Sequence, residues 1–68
     1  MKYERLRKYI KNQGMSYKDF AEKVLLTSTQ NVDYKWRGVH DFTLEQVKTI
    51  RKYFKLTDKQ IIEYFFKE

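Results

Sequence analysis

The segment from Ser28 to Gly38, STQNVDYKWRG, groups polar side chains around two apolar residues. Val32 and Trp36 are four positions apart, so they fall on the same face of a helix. The other faces then carry small polar residues, two amides, a Tyr, a Lys and an Arg. Such a helix would present hydrogen-bonding side chains to a partner molecule.

The sequence contains no comparable group of residues that could catalyse a reaction or bind a metal ion. The chain has no Cys, which rules out disulfides and thiolate metal ligands. Its one histidine, His40, has neither clustered carboxylates to form a metal site nor a nearby nucleophile that needs a base. We therefore expect neither an enzyme nor a metal site, and no cofactor.

The charge of the chain favours a polyanionic partner. The 68 residues carry a net charge of +6, with an isoelectric point near 9.6. Basic side chains gain affinity for a phosphate backbone by releasing condensed counterions. Residues 1–14 contain five basic residues and one acidic residue, whereas residues 56–68 contain two basic residues and three acidic residues. The alternative is an excess of lysine that only keeps the protein in solution.

The length of the chain predicts a single domain, 1–68, with one modest core. A chain of this size buries only about 60% of its unfolded surface. No apolar run is long enough for a signal peptide or a membrane span. The sequence therefore predicts a cytoplasmic protein that has no membrane partner.

Capping motifs predict where the helices begin. Ser16, Thr43 and Thr57 each precede a helical segment and resemble a capping box inside a hydrophobic staple. Ser28 is a weaker start, and Gly14 suits the left-handed position that closes a first helix. With apolar residues at helical spacing, the sequence predicts an all-α protein with helices at about 2–12, 17–25, 29–37, 44–54 and 58–66.

The second and third predicted helices are short and joined by about three residues. A connection of this length forces a steep crossing instead of an antiparallel hairpin. Ala21 lies where the helices would cross, and its small side chain allows a close approach.

Several motifs follow one another in a fixed order along the chain. They are Ser16, Phe20 to Val24, Ser28, Gln30, Val32, Tyr34, Lys35, Gly38, Phe42 to Val47, Leu56, Thr57 and Ile61. Together they resemble the helix-turn-helix domains of Cro and phage-repressor type, including small regulators of phages and mobile elements of Gram-positive bacteria. The resemblance covers nearly the whole chain. It implies a compact five-helix, lambda-repressor-like domain that binds double-stranded DNA.

The chain departs from the family pattern at two places. The family usually has a Gly just after its second helix, where this chain has Leu25, Leu26 and Thr27 and a turn one residue longer. Many members also bury an apolar residue three positions after the one that matches Val32. Here that position is Lys35, and Trp36 supplies the apolar group.

The resemblance implies that the third helix enters the major groove with its N-terminus first. The base contacts would then come from Thr29, Gln30, Asn31 and Tyr34. Gln and Asn each pair with two atoms of adenine, and a Thr methyl packs on a thymine methyl, so a half-site with A·T pairs is expected. The alternative is that these amides only cap and solvate the start of a helix.

The same resemblance implies contacts to phosphates, which orient the domain without reading sequence. The candidates are Ser16, Tyr17, Lys18, Lys35, Arg37 and His40. Lys18 is equally well interpreted as a solvated lysine, and for His40 simple exposure in the loop is the default interpretation. Asp33 is expected to pair with a basic neighbour or to be exposed. The basic stripe of the first helix faces either DNA or solvent, and the sequence does not decide between them.

The last predicted helix carries more apolar surface than one face against the core can bury. Tyr64, Phe65 and Phe66 are therefore candidates for a homodimer contact on DNA. The alternative is a fully packed terminal helix that closes a small core.

Two functions follow from the sequence. The first is a sequence-specific DNA-binding transcriptional regulator, Cro-like or repressor-like, that occupies an operator through residues 29–37 and takes no small-molecule ligand. The alternative is a protein-interaction module, antitoxin-like or anti-repressor, that uses the same fold.

Overall fold

Five helices make up the part of the chain that the computed structural model describes, residues 2–66, and that part contains no strand. Helix α1 is Glu4–Asn12, α3 is Thr29–Trp36 and α4 is Leu44–Phe54. Helix α2 starts as the α-helical turn Tyr17–Asp19 and continues as a π-helix, Phe20–Val24. Helix α5 starts as Asp58–Ile61 and continues as a π-helix, Ile62–Phe66. The predicted all-α, five-helix architecture is confirmed.

The predicted helix starts are confirmed where a side chain caps them. The hydroxyls of Ser16 and Ser28 accept the backbone N–H three residues later, at 3.1 and 3.2 Å. Thr43 and Thr57 do the same within complete capping boxes, in which the glutamine three residues on accepts the threonine N–H in return. These bonds satisfy helix-end donors that otherwise lack a partner.

The first helix begins at Glu4, two residues later than predicted. Tyr3 is buried in a left-handed conformation with φ 61°, and the backbone N–H of Lys2 donates to the carbonyl of Trp36 at 2.9 Å. This long-range bond holds the N-terminal residues against α3 and outside the helical path. Gly14 closes α1 at φ 74°, as predicted.

The longer turn after α2 is accommodated by the π-helix. The N–H of Leu25 donates to the carbonyl of Phe20 at 3.2 Å, a bond that spans five residues instead of four and so takes up one more residue per turn. Leu26 then adopts φ 54°, a left-handed conformation that favours glycine. Its side chain remains 82% exposed.

The core lies between the helices and is mostly aromatic at its centre. Trp36 is 2% exposed, and rings from Tyr3, Tyr17, Phe20 and Phe42 surround it at centroid distances of 5.5 to 6.3 Å. Aliphatic side chains complete the buried set: Leu6, Ile10, Ala21, Val24, Val32, Ile50, Leu56 and Ile61. The core thus joins α3 to the N-terminal residues, to α2 and to the loop before α4.

Replacing Leu26 by glycine should stabilise the protein. Glycine adopts a positive φ without the steric cost that a Cβ atom carries, and the exposed leucine gives up little apolar burial. We expect Leu26→Gly to raise the free energy of unfolding by about 0.5–1 kcal/mol, measured by urea unfolding.

Lys52→Gly is the matched control, because Lys52 is exposed within α4. It should lower the free energy of unfolding by about 1 kcal/mol. A decrease of the same size for Leu26→Gly would show that the left-handed conformation costs the leucine nothing.

Candidate nucleic-acid interface

Helix α3 presents a polar face opposite its buried one. Thr29 and Gln30 are exposed, and Tyr34 is half-buried beside them. The side-chain amide nitrogen of Gln30 donates to the Tyr34 hydroxyl at 2.8 Å. This bond, between residues one helical turn apart, holds the Gln30 side chain in one orientation.

Asn31 is placed differently from the other three predicted base-contact residues. It is half-buried, and its amide nitrogen donates to the Thr27 hydroxyl at 2.8 Å. The side chain therefore bridges α3 to the turn that precedes it. One amide hydrogen and the amide oxygen of Asn31 are not used by that bond.

The structure buries Lys35, one of the predicted phosphate contacts. Lys35 is 5% exposed. Its ammonium donates to the carbonyl of Asp41 at 3.3 Å and lies 5.6 Å from the centre of the Phe42 ring. The aliphatic stem is buried on the same helix as Val32 and Trp36. The side chain of Lys35 is therefore not presented to a partner in this conformation.

The remaining phosphate candidates lie at two places on the surface. Ser16 and Lys18 are exposed at the start of α2. Arg37 and His40 are exposed after α3, and the Arg37 Nε lies 2.9 Å from a carboxylate oxygen of Asp33. The pairing expected for Asp33 is thus present, and it offsets part of the Arg37 charge. Tyr17, the sixth candidate, is half-buried against Trp36, with 5.5 Å between the ring centroids.

A network around Asp41 fixes the loop that follows α3. The Asp41 carboxylate accepts hydrogen bonds from the Lys2 ammonium and from the Tyr3 hydroxyl, the latter at 3.2 Å. The Tyr3 hydroxyl also accepts the N–H of Phe42 at 3.4 Å. The Lys2 hydrogen bond is the main cause that lowers the pKa of the Asp41 carboxyl, whereas burial raises the pKa of Tyr3. No local sequence pattern predicts this network, because its partners are 38 and 39 positions apart.

The three predicted dimer residues of α5 are not equivalent in the structure. Phe65 packs on the rings of Tyr3 and Phe42 at 6.1 and 5.7 Å, and Tyr64 lies 5.1 Å from Tyr9. Phe66 is 73% exposed. A dimer contact at this helix stays a prediction, and Phe66 is the residue with apolar surface free to make it.

A metal-binding cluster and a membrane-spanning helix are both absent from the part of the chain that the structure describes. Within residues 2–66, no group of three or more His, Cys, Asp or Glu side chains is placed to hold a metal ion. No helix in the same range is long and apolar enough to cross a membrane. Comparisons of the chain with models of protein families, with curated proteins and with solved structures found no match.

The Asp41 network predicts a measurable titration. Because the folded-state pKa of Asp41 is lowered, its contribution to stability is present above the unfolded value of about 3.9 and is lost as the pH falls through the folded pKa. An NMR titration of the carboxyl should give a midpoint below that of the unfolded chain. Lys2→Met should raise this midpoint more than Tyr3→Phe does, since Lys2 provides the largest effect.

The control for this titration is Lys52→Met, which removes a charge of the same sign from the exposed surface of α4. It should leave the Asp41 midpoint close to the wild-type value. If Lys2→Met and Lys52→Met moved the midpoint equally, the overall charge would govern the titration and the specific hydrogen bond would not.

Proposed function

We propose that this protein is a sequence-specific, double-stranded DNA-binding transcriptional regulator of Cro or repressor type. It binds operator DNA through α3 and acts by excluding polymerase from the occupied site. The observation that carries the proposal is the polar face of α3, where Gln30 is held by Tyr34 and exposed on the side opposite Val32 and Trp36. The net charge of +6 supports the same kind of partner.

The geometry of Gln30 suits the edge of an adenine. A glutamine amide has two N–H donors and one carbonyl acceptor. The bond to the Tyr34 hydroxyl uses one donor and leaves one donor and the acceptor. These two groups match N7 and the N6 amino group of adenine in the major groove. Tyr34 therefore orients the amide through one hydrogen of its nitrogen and leaves the other hydrogen and the amide oxygen for the base.

Thr29 and Asn31 complete the proposed reading surface with different roles. Thr29 is exposed, and its methyl group is suited to packing on a thymine methyl. Asn31 keeps its own donor and acceptor beside the bond to Thr27, but it is set deeper than Gln30. We assign the principal base contact to Gln30.

Phosphate contacts would hold this surface in register with the groove. Two exposed pairs of residues are able to contact the DNA backbone: Ser16 and Lys18 on one side, and Arg37 and His40 on the other. Contacts of this kind fix orientation and carry no sequence information.

Selection of binding sites from a random duplex library tests the proposal. The wild-type protein should select a preferred sequence near physiological salt. Gln30→Ala should weaken binding to that sequence by about 1–3 kcal/mol and relax the preference at one base pair. Tyr34→Phe should have a smaller effect on the same base pair, because it frees the glutamine without removing it.

Gln13→Ala is the matched control, since Gln13 is an exposed glutamine just after α1. It should leave the selected sequence unchanged. A wild-type protein with no preference for any sequence over bulk DNA would refute the proposal.

One observation favours the alternative, a protein-interaction module. A groove of about 400 Å³ between α4 and α5 is lined in part by Leu44, Val47, Phe65 and Phe66. Leu44 is 70% exposed and Phe66 is 73% exposed, and exposed apolar patches often mark protein contacts. A protein partner at this groove would be lost in Leu44→Asp and kept in Gln30→Ala, with little dependence on salt. A DNA partner would give the opposite result.

A further inference from the structure

A cleft between α1 and the start of α2 concentrates positive charge. Its volume is about 440 Å³. Three cationic side chains and one carboxylate line it, together with an amide and a phenol: Arg7, Lys8, Lys11, Glu4, Asn12 and Tyr17. Sequence alone did not decide whether this face of α1 meets DNA or solvent.

The cations of the cleft lack the ionic partners that several other basic residues have. Within the described part of the chain, Arg5, Lys23, Arg37 and Arg51 each form a salt bridge with a carboxylate. No carboxylate in residues 2–66 forms one with Arg7, Lys8 or Lys11, although Glu4 shares the cleft. A concave surface with charge of one sign focuses its field on an incoming anion.

Tyr17 arranges two of these cations. The Arg7 guanidinium carbon lies 5.5 Å from the centre of the Tyr17 ring, and the Lys11 ammonium lies 4.3 Å from it. The negative face of the ring attracts both groups and holds them at the mouth of the same cleft. Because Arg7 and Lys11 already lie at Tyr17, less side-chain entropy is lost when an anion binds.

Arg7 also has an unused hydrogen-bond donor. Its Nε is buried and has no acceptor in the described part of the chain. Nε and the adjacent terminal nitrogen of an arginine form a fork that matches two oxygens of a phosphate group. Because that Nε is shut off from solvent, a phosphate in the cleft would meet the guanidinium at its two terminal nitrogens, which form a fork of the same kind.

We propose that Arg7, Lys8 and Lys11, arranged around Tyr17, bind one or two neighbouring phosphate groups of the DNA backbone. This inference rests on the proposed function and adds a contact to it that lies outside α3. Tyr17 also packs on Trp36, the last residue of α3. The cleft is thereby fixed relative to the reading helix, beside the exposed Ser16 and Lys18 at the start of α2.

The test compares two double variants that remove the same charge. Lys8→Gln with Lys11→Gln alters the cleft, and Lys48→Gln with Lys52→Gln alters the surface of α4; all four lysines are exposed. Binding to the selected sequence and to a random duplex is measured over a range of salt concentrations, after thermal unfolding has shown that both variants are folded.

The cleft variant should bind both duplexes about three- to tenfold more weakly than wild type, with the ratio between the duplexes unchanged. Its slope of log K against log salt concentration should be smaller by about 1 to 2, as expected for one or two lost phosphate contacts. The α4 variant should keep the wild-type slope. Equal losses in both variants would overturn the proposal, because total charge would then explain them.

Ethylation interference on the selected duplex locates the contact and tests Arg7. Arg7→Lys keeps the charge and removes the fork. Interference at one or two backbone phosphates should weaken in Arg7→Lys and in the cleft variant, while protection of the bases stays as in wild type. An unchanged phosphate pattern would overturn the cleft proposal alone. A wild-type protein without sequence preference would instead overturn the proposed function.

Discussion

The packing of Trp36 is the interaction on which the arrangement of this protein depends. Its indole is 2% exposed and ends α3 inside a cage of four rings, from Tyr3, Tyr17, Phe20 and Phe42. Those rings come from the N-terminal residues, from α2 and from the loop before α4. Each aromatic pair adds about 0.5–1.5 kcal/mol beyond the area it buries. The indole N–H is left without an acceptor in the described residues, so ring packing outweighs a hydrogen bond here.

Because α3 is held at this end, its polar face is fixed relative to the rest of the surface. Tyr17 extends the same packing outward, since it contacts Trp36 on the core side and Arg7 and Lys11 in the cleft. One ring therefore joins α3 to the basic surface of α1. A change at Tyr17 would disturb both regions, and for that reason variants of the exposed lysines separate their roles more cleanly.

The sequence predicted the features that local signals determine. Caps such as Ser16 act over three residues, so the helix starts could be predicted from the sequence without knowledge of the packing. The burial of Lys35 could not be predicted in this way. It depends on the carbonyl of Asp41 and on the ring of Phe42, six and seven positions further along the chain. The pairing of Lys2 with Asp41 likewise depends on a tertiary contact, and no local signal in the sequence marks the π-helix before Leu26.

The charges on α3 indicate that, under the proposed function, discrimination between bases and attraction to phosphates would come from different elements. Lys35 is buried against the Asp41 carbonyl, and Arg37 is paired with Asp33. Lys35 is thus held within the protein and the charge of the exposed Arg37 is partly offset, while Gln30 and Tyr34 present neutral donors and acceptors. Neutral groups discriminate between bases, because a mismatched edge leaves them unpaired, whereas a free cation is attracted to every phosphate alike. Under the proposed function, the attraction that brings DNA to α3 would then come from neighbouring elements, and the three cations of the α1 cleft, which form no salt bridge within residues 2–66, are suited to supply it.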